Sequence, residues 1–451
     1  MNSHNQPYKE FDDIKKEIFS KMEEKDYQGA FSLIRQILKY PGLSYLDYLW
    51  EDTLSLLHQI IEKLEAPKLV ATLEELIQDP QNVELLYNCG YYLYERGLYD
   101  IAATFLSIAN KIKPDQEKIL SELAINLEWI MANREICHIL ENSNEAVSNS
   151  MFLRYLLAYN YIMSNNLEKA KILIPSIEKS QERDALFYAE NLRGMLNRAY
   201  LLKSKRSLDN KDLRGWHMVL NGTLLLHLSP FGYEEDMYGR YGYIADSYAL
   251  LKLGLTRIKS VINELEMEIP FVISLPDRSS QILSHAAAKF LERPLEQWDE
   301  VGATLEGLYI AYDLDMVNHR QALEELNSHK PNQILWVHAS CWTNPFPYAP
   351  DITTFLYQYN VAPWSEGRMR YDEKKKKVEV SKPNNSSVVE IANMILEASE
   401  EPNPVDDDSD FISVIEPFLN YDDLGKPGLF RNSGSRLRQR IGSPVKSNMF
   451  F

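Results

Sequence analysis

Cysteine, basic charge and long apolar runs are all scarce in this chain, and each scarcity removes a class of function. Three cysteines occur in 451 residues, Cys89, Cys137 and Cys341, far apart and without metal-ligand spacing. That pattern excludes a disulfide framework and a thiolate metal site, so reduced thiols and no metal are expected. Lys and Arg number 48 against 65 Asp and Glu, giving a net charge of −17. Nucleic acid is therefore not an expected partner, because phosphate binding through counterion release needs clustered cations. No run approaches the ~18 apolar residues that span a bilayer, and the start MNSHNQPYKEFDDIKK has no apolar h-region. No membrane association and a cytoplasmic location are the expectation. Glycine-rich phosphate loops, HExxH and GxSxG are missing too, so no catalytic residue and no cofactor is assigned. His217 and His227 lie ten residues apart with no third ligand at a recognisable spacing. Cys341 follows His338 by three, which sets the two on opposite faces of a continuing strand.

What is present is apolar mass: 45% of residues are hydrophobic and 11% aromatic. At roughly 150 residues per domain the length fits two or three units. Phe11 to Leu38 reads as two helices around Lys25-Asp26-Tyr27, with Ile14, Ile18, Phe31, Ile34 and Ile37 at three- and four-residue steps. Pro41-Gly42 breaks the pattern; Leu46–Leu64 and Lys68–Ile77 then form a second helix pair, closed by Asp79-Pro80.

The stretch Val83 to Pro114 is written more sharply. It carries Leu86, Cys89-Gly90, Leu93, Ala102, Leu106 and Pro114 in order. Thirty-four residues on stand Leu120, Leu123-Ala124, Leu127, Ile136 and Leu140, and a further 34 on Arg154, Leu157-Ala158, Tyr161, Ala170 and Ile174. This phasing resembles the tetratricopeptide repeat, clearest over residues 83–184, in which small residues let two antiparallel helices approach closely. The resemblance implies a helical solenoid whose first helices line a groove for a protein or peptide partner. Inward positions would be Tyr87, Tyr91 and Tyr94, then Ile125 and Trp129, then Phe152, Tyr155 and Tyr159. The wall is aromatic and holds few cations, unlike clamps of that family that grip a terminal carboxylate. Leu186–Leu202 is expected to seal the array as one more amphipathic helix.

The polar stretch Lys203 to Arg214 is the expected boundary, and helical periodicity returns in Asp246–Leu265. From Ile269 strands and helices alternate: Phe271–Leu275, a loop Pro276 to Ser280, helix Gln281–Leu291, strand Leu308–Tyr312, helix His319–Asn327 and strand Gln333–Ala339. Such alternation predicts a parallel or mixed sheet with ligands beyond the carboxyl ends of its strands. Those ends carry Asp277, Asp313 and His338, and with Arg278 and Ser279 they form a candidate site for a small anionic ligand. A serine opening a helix leaves free N–H groups there; the same serine, Ser279 or Ser280, is also an ordinary N-cap. Over Ile269 to Ala339 the order of elements faintly resembles the phosphoribosyltransferase-type plan. That family's signature, four apolar residues followed by an acidic pair, is absent, since His338 and Ala339 follow Ile334-Leu335-Trp336-Val337.

Beyond the third strand, Asp351–Tyr359 is expected to restart a helix with Asp351 as cap. Arg368 to Tyr371 and Lys377 to Val380 read as a hairpin, and Ser386–Ser399 as a closing helix. Residues 399–410 are acidic with prolines, FISVIEPFL (411–419) is an apolar island, and a basic end finishes in Met449-Phe450-Phe451. The expectation is thus a multi-domain α plus α/β protein. A helical repeat domain spans 1–205, an α/β domain with a mostly parallel sheet 206–400, and a flexible tail, acidic then basic, 401–451. Its expected role is an intracellular, bacterial interaction scaffold or adaptor. Its own C-terminal tail is a second candidate for the groove. An enzyme acting on a nucleotide or sugar phosphate is the alternative.

Overall fold

The computed structural model describes residues 6–42, 49–234, 236–367, 369–372, 376–400, 403–419, 429–436, 438 and 444–447. Arg368, the end Met449-Phe450-Phe451 and much of the lysine run of the expected hairpin lie outside the described residues. Two compact units, 1–193 and 194–451, meet within one helix, Ala185–Lys203, ahead of the boundary expected at 205.

Among the described residues the first unit is built of helices, with no strand. It opens with α1 (Gln6–Glu23), α2 (Tyr27–Leu38), α3 (Trp50–Lys63) and α4 (Pro67–Gln78). Three better-phased pairs follow: α5 (Val83–Tyr94) with α6 (Tyr99–Ile112), α7 (Glu117–Trp129) with α8 (Asn133–Asn142), and, after α9 (Asn144–Asn149), α10 (Met151–Met163) with α11 (Leu167–Glu178). First helices start at 83, 117 and 151 and second helices at 99, 133 and 167, a step of 34 in both series. That is the tetratricopeptide period. The turn within each pair also keeps step, with left-handed backbone at Gly97 (φ 73°), Met131 (φ 58°) and Asn165 (φ 61°). Gly90 sits where the pair closes: a Cβ there would lie 2.7 Å from Leu106 Cγ. Its α5 is anchored by Asn82, whose side chain accepts from the N–H groups of Glu84 and Leu85. Between α7 and α10 a buried polar chain fixes the register. Asn160 Nδ2 donates to Glu128 Oε1 (2.6 Å), and Asn133 Nδ2 donates to Asn160 Oδ1 (2.8 Å). The helix α12 (Ala185–Lys203) buries Ala185, Ala189 and Leu192 along one side.

The second unit is built on a seven-stranded sheet. Its strands are β1 (Leu224–Leu225), β2 (Tyr241–Ala245), β3 (Val272–Ser274), β4 (Leu295–Gln297), β5 (Gly307–Ala311), β6 (Gln333–Cys341) and β7 (Ile352–Val361). A separate antiparallel hairpin pairs β8 (Met369–Asp372) with β9 (Lys377–Val380). Across the sheet the order is β4-β3-β5-β6-β7, every pairing is parallel, and β1 and β2 lie in succession along the outer side of β7. The helices are α13 (Leu213–Asn221), α14 (Tyr248–Glu264), α15 (Arg278–Leu291), α16 (Trp298–Val301), α17 (Arg320–Leu326), α18 (Val388–Glu397) and α19 (Asp408–Leu419). One sheet face, including Ile273, Tyr309, Ala311, Leu335 and Val337, packs with Trp298, Leu314, Ala322 and Leu326 into a single apolar cluster. Because β3 leads first to β4 on one side and the chain then returns to β5 on the other, the order reverses between β3 and β5. In open parallel sheets this crevice is the usual ligand position.

Two expectations fail in this unit. The segment expected as a helix capped by Asp351 is β7, whose β-branched and aromatic run ITTFLYQYNV is buried over its first six residues. Asp351 caps nothing; it accepts from Leu335 N (2.8 Å) and from Arg436 Nη2 (2.8 Å). The described part of the segment expected as a flexible tail is packed. Helix α19 buries Phe411, Val414, Ile415 and Phe418. Asp406 ahead of it is fully buried between Arg214 Nη2 (2.6 Å) and Arg257 Nη1 (2.7 Å). Arg436 is buried as well and donates to the carbonyls of Leu326, Ser328 and Gln333. Composition marked the segment as solvated, but its Asp406 and Arg436 are paired with opposite charges far away in sequence, which makes their burial tolerable.

Candidate functional site

The first unit carries a row of aromatic rings along its first helices. Tyr87, Tyr91 and Tyr94 follow one another on α5 at centroid separations of 6.3 Å. The row continues through Tyr99, 5.7 Å from Tyr94, to Trp129, stacked on Tyr99 at 4.7 Å. A second row joins Phe152, Tyr155 and Tyr159 on α10, with Tyr188 of α12 only 4.2 Å from Tyr155. Helical spacing of four and three puts these side chains on one stripe. Tyr91 is exposed, Tyr94, Trp129, Phe152, Tyr155 and Tyr188 are half-buried, and Tyr87 and Tyr159 are buried. Burial raises the Tyr87 phenol to about 12, and Lys118 Nζ sits 3.9 Å from its ring centroid. Burial also holds Tyr155 and Tyr159 well above the ordinary tyrosine value, helped by the Glu128 carboxylate. The phenols of Tyr87, Tyr155 and Tyr159 are therefore neutral hydrogen-bonding groups at physiological pH. Sequence spacing identified the rings of α5 and α10; Tyr99 and Tyr188 were missed because they lie on a second helix and on the sealing helix.

In the second unit the sequence-derived residues do not converge. Asp277 ends the loop after β3 and N-caps α15, accepting from Ser280 N (2.9 Å); neither serine is the cap. Arg278 is turned away and donates to the carbonyls of Asn384 and Ser386, both at 3.0 Å. Ser279 Oγ accepts from Trp364 Nε1 (3.0 Å). Asp313, buried after β5, accepts from Asp315 N (3.0 Å) and from the Tyr357 hydroxyl. Burial raises the Asp313 carboxyl to about 6, and the nearby Asp277 and Asp315 charges add to the rise. Asp277 and Asp313 thus come near each other at the β3–β5 reversal. His338 is not at a strand end, because β6 continues to Cys341. It is fully buried, with Nε2 3.2 Å from Asp246 Oδ2, which also accepts from the Tyr312 hydroxyl (2.8 Å). A Cβ on Gly254 of α14 would stand 3.5 Å from His338 Nδ1, so the helix covers this histidine closely. Asp246, Tyr312 and Tyr357 had no sequence signal, since each meets its partner across 44 to 92 residues of chain.

Among the described residues no group of three His, Cys, Asp or Glu side chains could hold a metal ion, and no helix is long and apolar enough to cross a membrane. Two further features carry shape. A cavity of about 1010 Å³ opens at the amino ends of β3, β5 and β6, with Glu266, Glu268, Glu306 and Arg293 among its walls. A groove of about 500 Å³ runs beside β2 and β7 and is lined mainly by aromatic and glycine residues.

No protein-family model matches the chain, and no curated protein matches it. Among solved structures, MamA AMB-1 in crystal form P212121 is similar at 16% identity, covering 40% of this chain and 90% of that one, with a TM-score of 0.22. Pseudomonas aeruginosa PilF is similar at 17% identity, covering 43% of this chain and 90% of that one, with a TM-score of 0.25. Likeness of this extent says nothing about what this chain binds.

Proposed function

We propose that the first unit is a tetratricopeptide-like array that captures an extended protein segment on its aromatic face, making the chain an interaction scaffold. The observation that carries this reading is the pair of ring rows. Rings on successive first helices are held by their neighbours yet left partly open, and such preordered aromatics supply much of the energy of peptide recognition. Residues 1–193 contain 30 Asp and Glu against 20 Lys and Arg, so the partner segment that fits best has apolar anchors flanked by basic residues. Its affinity then falls as salt rises. The enzyme alternative draws no support from Arg278, whose guanidinium is committed to two backbone carbonyls, or from an α15 terminus already capped by a carboxylate.

Peptides selected from a displayed random library against the full chain test this reading. Tyr91→Ala combined with Phe152→Ala should weaken the selected peptides by roughly a hundredfold, at about 1.4 kcal/mol per ring. Selected peptides should carry apolar and basic residues. Affinities unchanged in the double variant would refute the assignment.

A further inference from the structure

Asp406 is surrounded by more donors than one carboxylate can satisfy. Its Oδ1 accepts from Arg214 Nη2 (2.6 Å) and its Oδ2 from Arg257 Nη1 (2.7 Å) and Leu228 N (2.9 Å), with His227 Nδ1 3.2 Å from the same oxygen. Arg214 comes from α13, Arg257 from α14, and His227 and Leu228 from the chain just past β1. Both guanidiniums have anchors besides Asp406: Arg214 Nε donates to the Leu225 carbonyl (2.8 Å) and Arg257 Nη1 to that of Leu226. Part of Arg257 is nevertheless unused. Its Nη2 meets the Asp406 carbonyl (3.0 Å), while its Nε, in a side chain 4% exposed, has no hydrogen-bond partner among the described residues. A buried donor left unpaired on a charged group costs free energy, and the guanidinium fork matches oxyanions two hydrogen bonds at a time. The pocket lies one side chain below solvent, since Asp408, 84% exposed, stands 3.6 Å from Arg257 Nη2.

We propose that Arg214, Arg257, His227 and the Leu228 amide form a phosphate-binding site that Asp406 closes from within the chain, so that a phosphate group competes with residues 403–419 for it. Phosphate suits the site better than a second carboxylate. Its oxygens outnumber those of Asp406 and can engage Arg257 Nε as well, and it brings up to two charges to two guanidiniums where Asp406 brings one. The site and the seat of α19 are one structure: the ring of Phe411, the first apolar anchor of that helix, has its centroid 5.8 Å from the Arg214 guanidinium carbon and 5.3 Å from that of Arg257. Asp410, which also pairs with Arg214, belongs to the same helix. Displacing Asp406 therefore loosens α19, and the occupant of the pocket decides whether the helix is held.

The test uses the full chain, with ionic strength held constant by sodium chloride. Asp406→Ala removes the built-in carboxylate and keeps every donor. Inorganic phosphate and phosphoserine, each raised to saturation, should lift the melting temperature of this variant by roughly 5–10 °C, the shift for a ligand at about 100 times its Kd on a unit of this size. Acetate should lift it less. A larger shift with inorganic phosphate marks a site for the free anion, and a larger one with phosphoserine a site for a phosphorylated partner. Adding Arg257→Gln should abolish both shifts. In the unmodified chain, where no variant has to fold, phosphate should speed amide exchange from Phe411 to Phe418 by about tenfold over chloride and leave β5 and β6 unchanged. No exchange difference in the unmodified chain, a phosphate shift in Asp406→Ala no larger than that of chloride, or a shift that survives Arg257→Gln would each overturn the proposal.

Discussion

Replacing Asp406 by Asn tests whether the buried charges of the second unit hold its C-terminal segment in place. The carboxylate accepts from Arg214 Nη2, from Arg257 Nη1 and from Leu228 N (2.9 Å), and His227 Nδ1 stands 3.2 Å away. Asparagine keeps the volume and removes the charge, leaving two guanidiniums that are 0% and 4% exposed without their shared counterion. Breaking a buried pair in this way costs about 3–5 kcal/mol. Arg214 still reaches Asp410 and the carbonyls of Leu225 and Leu226, which favours the lower end, about 3 kcal/mol. For a unit of this size that corresponds to a fall of roughly 6–12 °C in Tm. The pH dependence follows from the sign of the shift. Against burial, which alone would raise it, His227, Arg214 and Arg257 hold the Asp406 carboxyl well below its ordinary value. The unfolded chain therefore binds the proton more tightly. The contribution is fully present above the unfolded value, near pH 4, and is lost as pH falls towards the depressed folded value. Thermal melts of both forms from pH 3 to 8 should show a constant gap above about pH 5 that narrows below 4. A gap under 1 kcal/mol at pH 7, or one that stays constant down to pH 3, would refute the reasoning.

Three smaller substitutions address separate features. Gly90→Ala drives a Cβ to 2.7 Å from Leu106 Cγ and should lower stability by about 1–3 kcal/mol; the melting transition it moves identifies the first unit. Gly307→Ala meets both a φ of 147° and a Cβ position 2.3 Å from the Phe271 carbonyl oxygen. It should destabilise by more than about 2 kcal/mol in denaturant melts. Asp277→Ala removes the cap of α15 at a cost of about 1 kcal/mol and takes a negative charge away from Asp313. Carboxyl NMR titration should then place Asp313 lower than in the unmodified chain, where the Asp277 charge adds to the rise. An unmoved Asp313 would show that the two carboxylates at the β3–β5 reversal do not sense each other.

The first unit was legible because its information is local. Small residues at Gly90 and Ala102, and apolar residues at three- and four-residue steps, recur 34 residues apart, and the helices start at the matching positions. Even there the turn was only partly written. Gly97 announces its left-handed backbone and Asn165 is a residue that tolerates it, whereas Met131 adopts the same conformation at the same phase without either. The second unit was legible where strands are bounded by turn residues, as for β3, β5 and β6, and illegible where a fully buried run could serve either period, as for β7. Its candidate site misled for a related reason. The loop after β3 looks the same in sequence whether its helix N-terminus receives an anion or is closed by the preceding Asp277, and only the three-dimensional placement of Arg278 against Asn384 and Ser386 decides between them. The C-terminal segment is the extreme case. Acidic and basic blocks read one at a time describe a solvated tail, but Asp406 finds Arg214 and Arg257 across 192 and 149 residues, and Arg436 finds Asp351 across 85. Charge that balances only at such separation carries no local signature. A net charge of −17 therefore says little about sites such as Asp406 and Asp351, where buried carboxylates meet arginines that stand far away in sequence.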